Sequence, residues 1–235
     1  MIAITFALPA ESSDFVRRVG DRRSRRRESL TTIEGKVGNH EIEIMHTGVG
    51  EKICHARLPA FLQEARPQLL ISAGFAGAVG NDLAAGDLIL SRNFSDQRLL
   101  TTSKGLLEGR PAHVVKLFTT KTVVDLSAAR EEIARSSGAA AVDMETEIIA
   151  VECAARGIPL ISLRAISDTP AQPLPAPPDI LFDVQRQRTN FPGLIAHIML
   201  HPSALGRLGR FAGQVSRARQ RLADALITLL QGELS

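Results

Sequence analysis

The feature that most constrains this chain is a series of short apolar runs that do not alternate with polar residues: IAITF at 2–6, QLLISAG at 68–74 and IPLISLRAIS at 158–167. A strand that is apolar at every position is buried on both faces. GDLILS at 86–91, HVVKLFT at 113–119 and AAAV at 139–142 read as further strands. Between these runs lie stretches of helical composition: residues 11–19, 51–65, 127–136 and 144–155, the last closed by Gly157 as a C-cap. TTIEGKVGNHEIEIMHTG reads as a hairpin turning at Gly38-Asn39. Strands and helices in this alternation predict an α/β fold, a single domain with a mostly parallel or mixed central sheet covered by helices on both faces.

Composition agrees with one large domain over 1–235: the chain is 44% hydrophobic and 23% charged. TPAQPLPAPPDI suits a surface loop, and residues 191–231 read as a C-terminal helical extension broken at His201-Pro202. Cys54 and Cys153 lie far apart and outside any metal-ligand spacing, so neither a disulfide framework nor a metal site is expected. MIAITFALPA lacks the basic start of a signal peptide, and the stretch from Pro67 to Asn81 is too short to span a bilayer. A cytoplasmic location is expected. Seven arginines crowd residues 17–27 at a net charge of only +3. Such a run reads as a solvated helix end and loop or an anion-binding patch; without interleaved aromatic residues, nucleic acid is not the expected partner.

Ligands of such sheets bind at the carboxyl ends of the strands. Four sequence junctions fall there: Glu11 after the first strand, SAGFAGA (72–78), Asp143-Met144-Glu145, and RAISD with Arg164 and Asp168. A carboxylate at a helix mouth, as at Glu145, suits the paired hydroxyls of a ribose. The other two acids can divide base and acid roles. Each has a plainer account: Glu11 as a first-turn acid, Asp143 as a cap, Arg164 and Asp168 as a salt bridge, Met144 as core. The glycines do not complete a dinucleotide fingerprint.

ALPAE, TGVG, SAGFAGA, AVDMET and RAISD, in that order between residues 7 and 168, resemble the nucleoside phosphorylase and nucleosidase superfamily, especially the 5'-methylthioadenosine/S-adenosylhomocysteine nucleosidases. The resemblance implies cleavage of the N-glycosidic bond of an adenosine-type purine nucleoside by a homodimer without a cofactor. It makes Glu11 the base that activates water and Asp168, oriented by Ser167, the donor to purine N7. Glu145 then binds the ribose hydroxyls under Met144, Arg164 lies near the nucleophile, and Val124 reads the base edge. Asp143, Leu8, Val49, Phe75, Ala76, Gly77 and Val123 complete the pocket. Phe75 stands where these nucleosidases carry a serine or threonine, and Val123 where they carry the stacking aromatic ring, which passes that role to Phe94 or Phe118. The tail, with LPAPPDILFD and HPSALGRLGRFAGQVSRARQRLADAL, resembles the hopanoid-associated phosphorylases, which implies as alternative the phosphorolysis of an adenosylated lipid with phosphate as co-substrate. Its stripe of Leu205, Leu208, Phe211, Val215, Leu222, Leu226 and Leu229, edged by arginines, suits either a membrane surface or the sheet. A non-catalytic nucleoside-binding protein and a basic adaptor are the remaining alternatives.

Overall fold

The computed structural model describes residues 1–27, 30–177 and 204–232, with positions 180, 182–183, 188–189 and 234. Its centre is a mixed ten-stranded sheet in the order β2 (Gly20–Arg26), β3 (Thr31–Val37), β4 (His40–His46), β1 (Ile2–Phe6), β5 (Leu69–Ala78), β10 (Leu160–Asp168), β6 (Leu88–Ser91) and β7 (Ala112–Val115), with β9 (Ala141–Asp143) on the far end of β5 and β8 (Leu117–Thr119) on β9. The middle is parallel: β1 (Ile2–Phe6) lies between β4 (His40–His46) and β5 (Leu69–Ala78), and β5 runs beside β10 (Leu160–Asp168). Of these, β1, β5 and β10 are the uninterrupted apolar runs, and their burial on both faces is what the sequence required. β3 (Thr31–Val37) forms the expected hairpin with β4 across Gly38.

The outer strands depart from expectation. The arginine run forms β2 (Gly20–Arg26), an exposed edge strand antiparallel to β3, rather than a helix end and loop. Five of its seven arginines are ion-paired: Arg17 with Asp14, Arg18 with Asp224, Arg23 and Arg25 with Glu34, and Arg27 with Glu43 and Glu64. Cross-strand pairing with Glu34, invisible in a one-dimensional charge count, is what allows such a strand to form. HVVKLFT divides into β7 (Ala112–Val115), which pairs with β6 (Leu88–Ser91), and β8 (Leu117–Thr119), which pairs with β9 (Ala141–Asp143).

Helices α1 (Pro9–Val16), α2 (Glu51–Ala65), α4 (Ser127–Ser137) and α5 (Thr146–Ala154) stand near the predicted spans. The unforeseen α3 (Gln97–Leu106) is started by Asp96, whose carboxylate accepts from the Arg98 and Leu99 amides. Alternation along the central strands divides the core. Ile4 and Phe6 face one side with Phe15 of α1, while Ala3 and Leu70 face the other with Leu58 of α2 and Ile149 of α5. The long helix α6 (Ala204–Gln231) closes the first side. Its Leu222, Leu226 and Leu229 are fully buried there, so this part of the stripe covers the sheet, whereas Leu205 remains 63% exposed. The expected helix between 191 and 203 and its break at His201-Pro202 lie outside the described residues. Cys54 and Cys153 are buried free thiols. No described helix is long and apolar enough to cross a membrane.

Candidate active site

The parallel strands β1, β5 and β10 deliver three of the junction segments to one rim, and the end of β9 brings the fourth. Asp143 ends β9, and its carboxylate accepts hydrogen bonds from the Thr119 hydroxyl (2.8 Å), the Arg164 Nε (3.1 Å), the Thr146 amide (3.2 Å) and the Thr146 hydroxyl. It therefore starts α5 in the manner of a cap. That arrangement leaves the next acid, Glu145, free of the helix backbone. One of its oxygens accepts instead from the Gly50 amide at 2.8 Å. Gly50 has φ +89, a conformation a side chain would resist, and a Cβ there would meet Met144 at 3.8 Å. The TGVG turn thus brings a backbone donor to an acid 95 residues away.

Glu11 stands in the first turn of α1, as its plainer account expects. Its Oε2 accepts from the amides of Ala7 (3.0 Å) and Leu8 (3.4 Å), capping the start of α1. Its Oε1 has no partner among the described residues. Burial pushes the carboxyl up to about 7 against the opposing pull of Arg164 and of the two amide bonds. Glu145 is pushed up to about 8, first by burial and then by Asp143. Two carboxyls poised near neutrality beside each other are what acid-base work demands.

Arg164 does not reach Asp168. Its Nε bonds Asp143, Nη1 the Ser72 and Leu163 carbonyls (2.7 and 3.1 Å), and Nη2 the hydroxyls of Ser72 (2.8 Å) and Thr146 (2.6 Å). With every guanidinium nitrogen bonded to protein, Arg164 acts on Glu11 through its charge alone. Asp168 has a different cation, which sequence reasoning missed: Arg130 of α4, 1% exposed, bonds Asp168 Oδ2 and the Ala78 carbonyl (2.5 Å). Ser167 donates to the other Asp168 oxygen at 2.6 Å, as expected. The carboxylate passes so close to β5 that a Cβ at Gly77 would lie 3.0 Å from its Oδ2.

A cavity of about 200 Å³ collects most of the predicted set: Glu11, Val49, Phe75, Ala76, Gly77, Val123, Val124, Asp143, Met144, Glu145, Ser167 and Asp168, joined by Ala7, Thr120 and Val142. Leu8 does not line it and serves Glu11 through its amide. Arg164 lies behind it, on a second, far smaller cavity of about 10 Å³. The expected stacking rings are elsewhere. Phe94 packs in the core by β6, and Phe118 is 40% exposed, so Phe75 is the sole ring among the described lining residues. A larger cleft of about 520 Å³ follows the arginines of β2 on the opposite edge of the sheet, away from these acids. No group of three His, Cys, Asp or Glu suited to a metal occurs among the described residues.

A mixed sheet with acids from three segments, Glu11, Asp143 with Glu145, and Asp168, lining one hollow at its strand ends defines an α/β protein with a candidate small-molecule site. The model of the phosphorylase superfamily matches residues 1–114 and 93–198, and the chain belongs to that superfamily. It is 27% identical over 198 residues to a 5'-methylthioadenosine/S-adenosylhomocysteine nucleosidase of Haemophilus influenzae, a match covering 71% of this chain and 85% of that protein. Among solved structures, the fold is shared with the corresponding nucleosidase of Streptococcus pneumoniae bound to a transition-state inhibitor (TM-score 0.74, 21% identity, 98% of each chain). It is shared equally with a futalosine hydrolase of Helicobacter pylori (TM-score 0.73, 16% identity, 97% of this chain and 96% of that one).

Proposed function

We propose that the protein hydrolyses the N-glycosidic bond of an adenosine-type purine nucleoside and releases adenine. The observation that carries this reading is that Glu11, Glu145 and Asp168, from separate elements, line one cavity. Glu145, anchored by Gly50, takes the ribose hydroxyls beneath Met144. Glu11, with a pKa near 7, accepts the proton of the attacking water. Asp168, held from two sides by Ser167 and Arg130, faces N7 of the leaving base. The positive charge that develops on the sugar is met by the carboxylates that line the cavity. The curated relatives similar to the chain are nucleosidases by name, which supports the same substrate class. The reading needs no cofactor, since base and acid are side chains and water is the nucleophile.

Phosphorolysis would require cationic or hydroxyl donors turned toward the nucleophile, and Arg164, the arginine at this end of the site, has none to spare. A cytoplasmic homodimer is the form we infer. The free thiols suit a reducing compartment, and the exposed apolar side chains Phe118, Val123, Leu126 and Val151, of which Val123 lines the cavity, suit contact with a second copy. The exposed Leu205 with Arg207 and Arg210 suits peripheral contact with an anionic membrane. The test is to incubate the protein with methylthioadenosine, adenosylhomocysteine and adenosine, with and without phosphate. Adenine release at an equal rate in both supports hydrolysis; release that requires phosphate overturns it, and no release from any of the three overturns the substrate class.

A further inference from the structure

We propose that Thr5 seats the attacking water, in a pocket for one molecule that Phe75 closes to larger nucleophiles; this rests on the hydrolytic reading and specifies its nucleophile site. The 10 Å³ cavity is lined by Thr5, Phe6, Glu11, Ser72, Phe75, Glu145 and Arg164, among others. Its size is about that of one water and well below what a phosphate needs. It shares Ala7, Glu11, Phe75 and Glu145 with the larger cavity, so it opens at the end where Glu145 would hold the sugar. The Thr5 hydroxyl, 1% exposed, has no hydrogen-bond partner among the described residues. A buried hydroxyl of this kind is normally satisfied by protein or by an ordered water.

The register explains the placement. Thr5 on β1 lies directly beside Ser72 on β5, on the sheet face that looks toward α2 and α5. Ser72 accepts from Arg164 and donates to no described group, which leaves it a proton to offer. A water between Thr5, Ser72 and Glu11 Oε1, which has no partner among the described residues, would have three polar partners, the usual number for a buried water. From there the step balances. The water oxygen forms the bond to the anomeric carbon, and its proton passes to Glu11. The electrons of the glycosidic bond leave with the base, which takes a proton from Asp168. Phe75 forms one wall of both cavities, so the hydroxyl absent at 75 is supplied from the neighbouring strand at 5.

Thr5→Val deletes the hydroxyl at nearly constant volume, and Thr5→Ser keeps it. In adenine-release kinetics with methylthioadenosine, Thr5→Val is expected to lose on the order of 10²-fold in kcat, the cost of a misplaced reactant, with KM and adenine affinity unchanged, while Thr5→Ser stays near wild type. A high-resolution crystal structure of the wild type is expected to show one water within hydrogen-bond distance of Thr5 Oγ1 and Glu11, and that of Thr5→Val to lack it. Wild-type kcat in Thr5→Val, or a dry cavity in the wild-type crystal, overturns the proposal. Should the wild type release no adenine, the hydrolytic reading fails, and the crystal structures still decide whether the seat exists.

Discussion

Glu11→Gln is expected to abolish turnover and at the same time to stabilise the protein, by an amount that depends on pH. In the folded chain the carboxyl titrates at about 7 against 4.5 for the free group. The folded state therefore binds this proton more tightly than the unfolded chain. The sign follows from linkage: the contribution is fully present below pH 4.5 and is lost as pH rises through 7. A rise from 4.5 to about 7, discounted for the partial exposure of Glu11, corresponds to about 2–3 kcal/mol. Glutamine keeps an oxygen for the amides of Ala7 and Leu8 and carries no charge to desolvate. Urea unfolding of both proteins at pH 5 and pH 8 reads the difference. The variant should gain about 2–3 kcal/mol over wild type between the two, or roughly 5–10 °C in melting temperature for a chain of this size. A difference that stays flat with pH would show that Glu11 is not held in a desolvating environment, and the base assignment would lose its physical support.

Arg130→Met removes the donor to two buried oxygens, Asp168 Oδ2 and the Ala78 carbonyl, and a loss of about 2–5 kcal/mol in urea unfolding is expected; a loss below about 1 kcal/mol would contradict the buried contacts. Gly77→Ala puts a methyl group 3.0 Å from Asp168 Oδ2, so kcat should drop on the order of 10-fold while the melting temperature barely moves. Unchanged kcat would mean that the placement of Asp168 is not critical. For the wild type, kcat/KM should rise with pH through about 7 as Glu11 ionises, and a profile flat from pH 5.5 to 8 would exclude it as the base.

The central strands and the helices between them were legible because burial on both faces leaves an unbroken apolar run, and because the order of runs and helices permits few topologies. Most of the cavity was legible for the same reason, since the ends of those strands must meet at one rim. What a one-dimensional reading could not separate is neighbours with identical chemistry. Asp143 and Glu145 are both acids at a helix start, and only the fold shows Asp143 bonded to Arg164 and Thr146 while Glu145 turns to Gly50. Arg130 sits in a polar helix, SAAREEIARSS, with nothing to distinguish it from Arg135, yet it is buried because α4 lays it over the ends of β5 and β10. Thr5 hides inside an apolar run, where a hydroxyl reads as ordinary strand composition. The arginine strand β2 needed its partner Glu34 in view before it could be read as a strand at all.

Three carboxyls are expected to close around one nucleoside, and a crystal structure with a non-cleavable adenosine C-nucleoside tests that directly. Glu145 should bridge the two ribose hydroxyls, with Asp168 at N7 and Glu11 facing the anomeric carbon from the side of Thr5. A nucleoside bound instead along the arginines of β2, or one in the cavity with its sugar turned away from Glu145, would contradict the account.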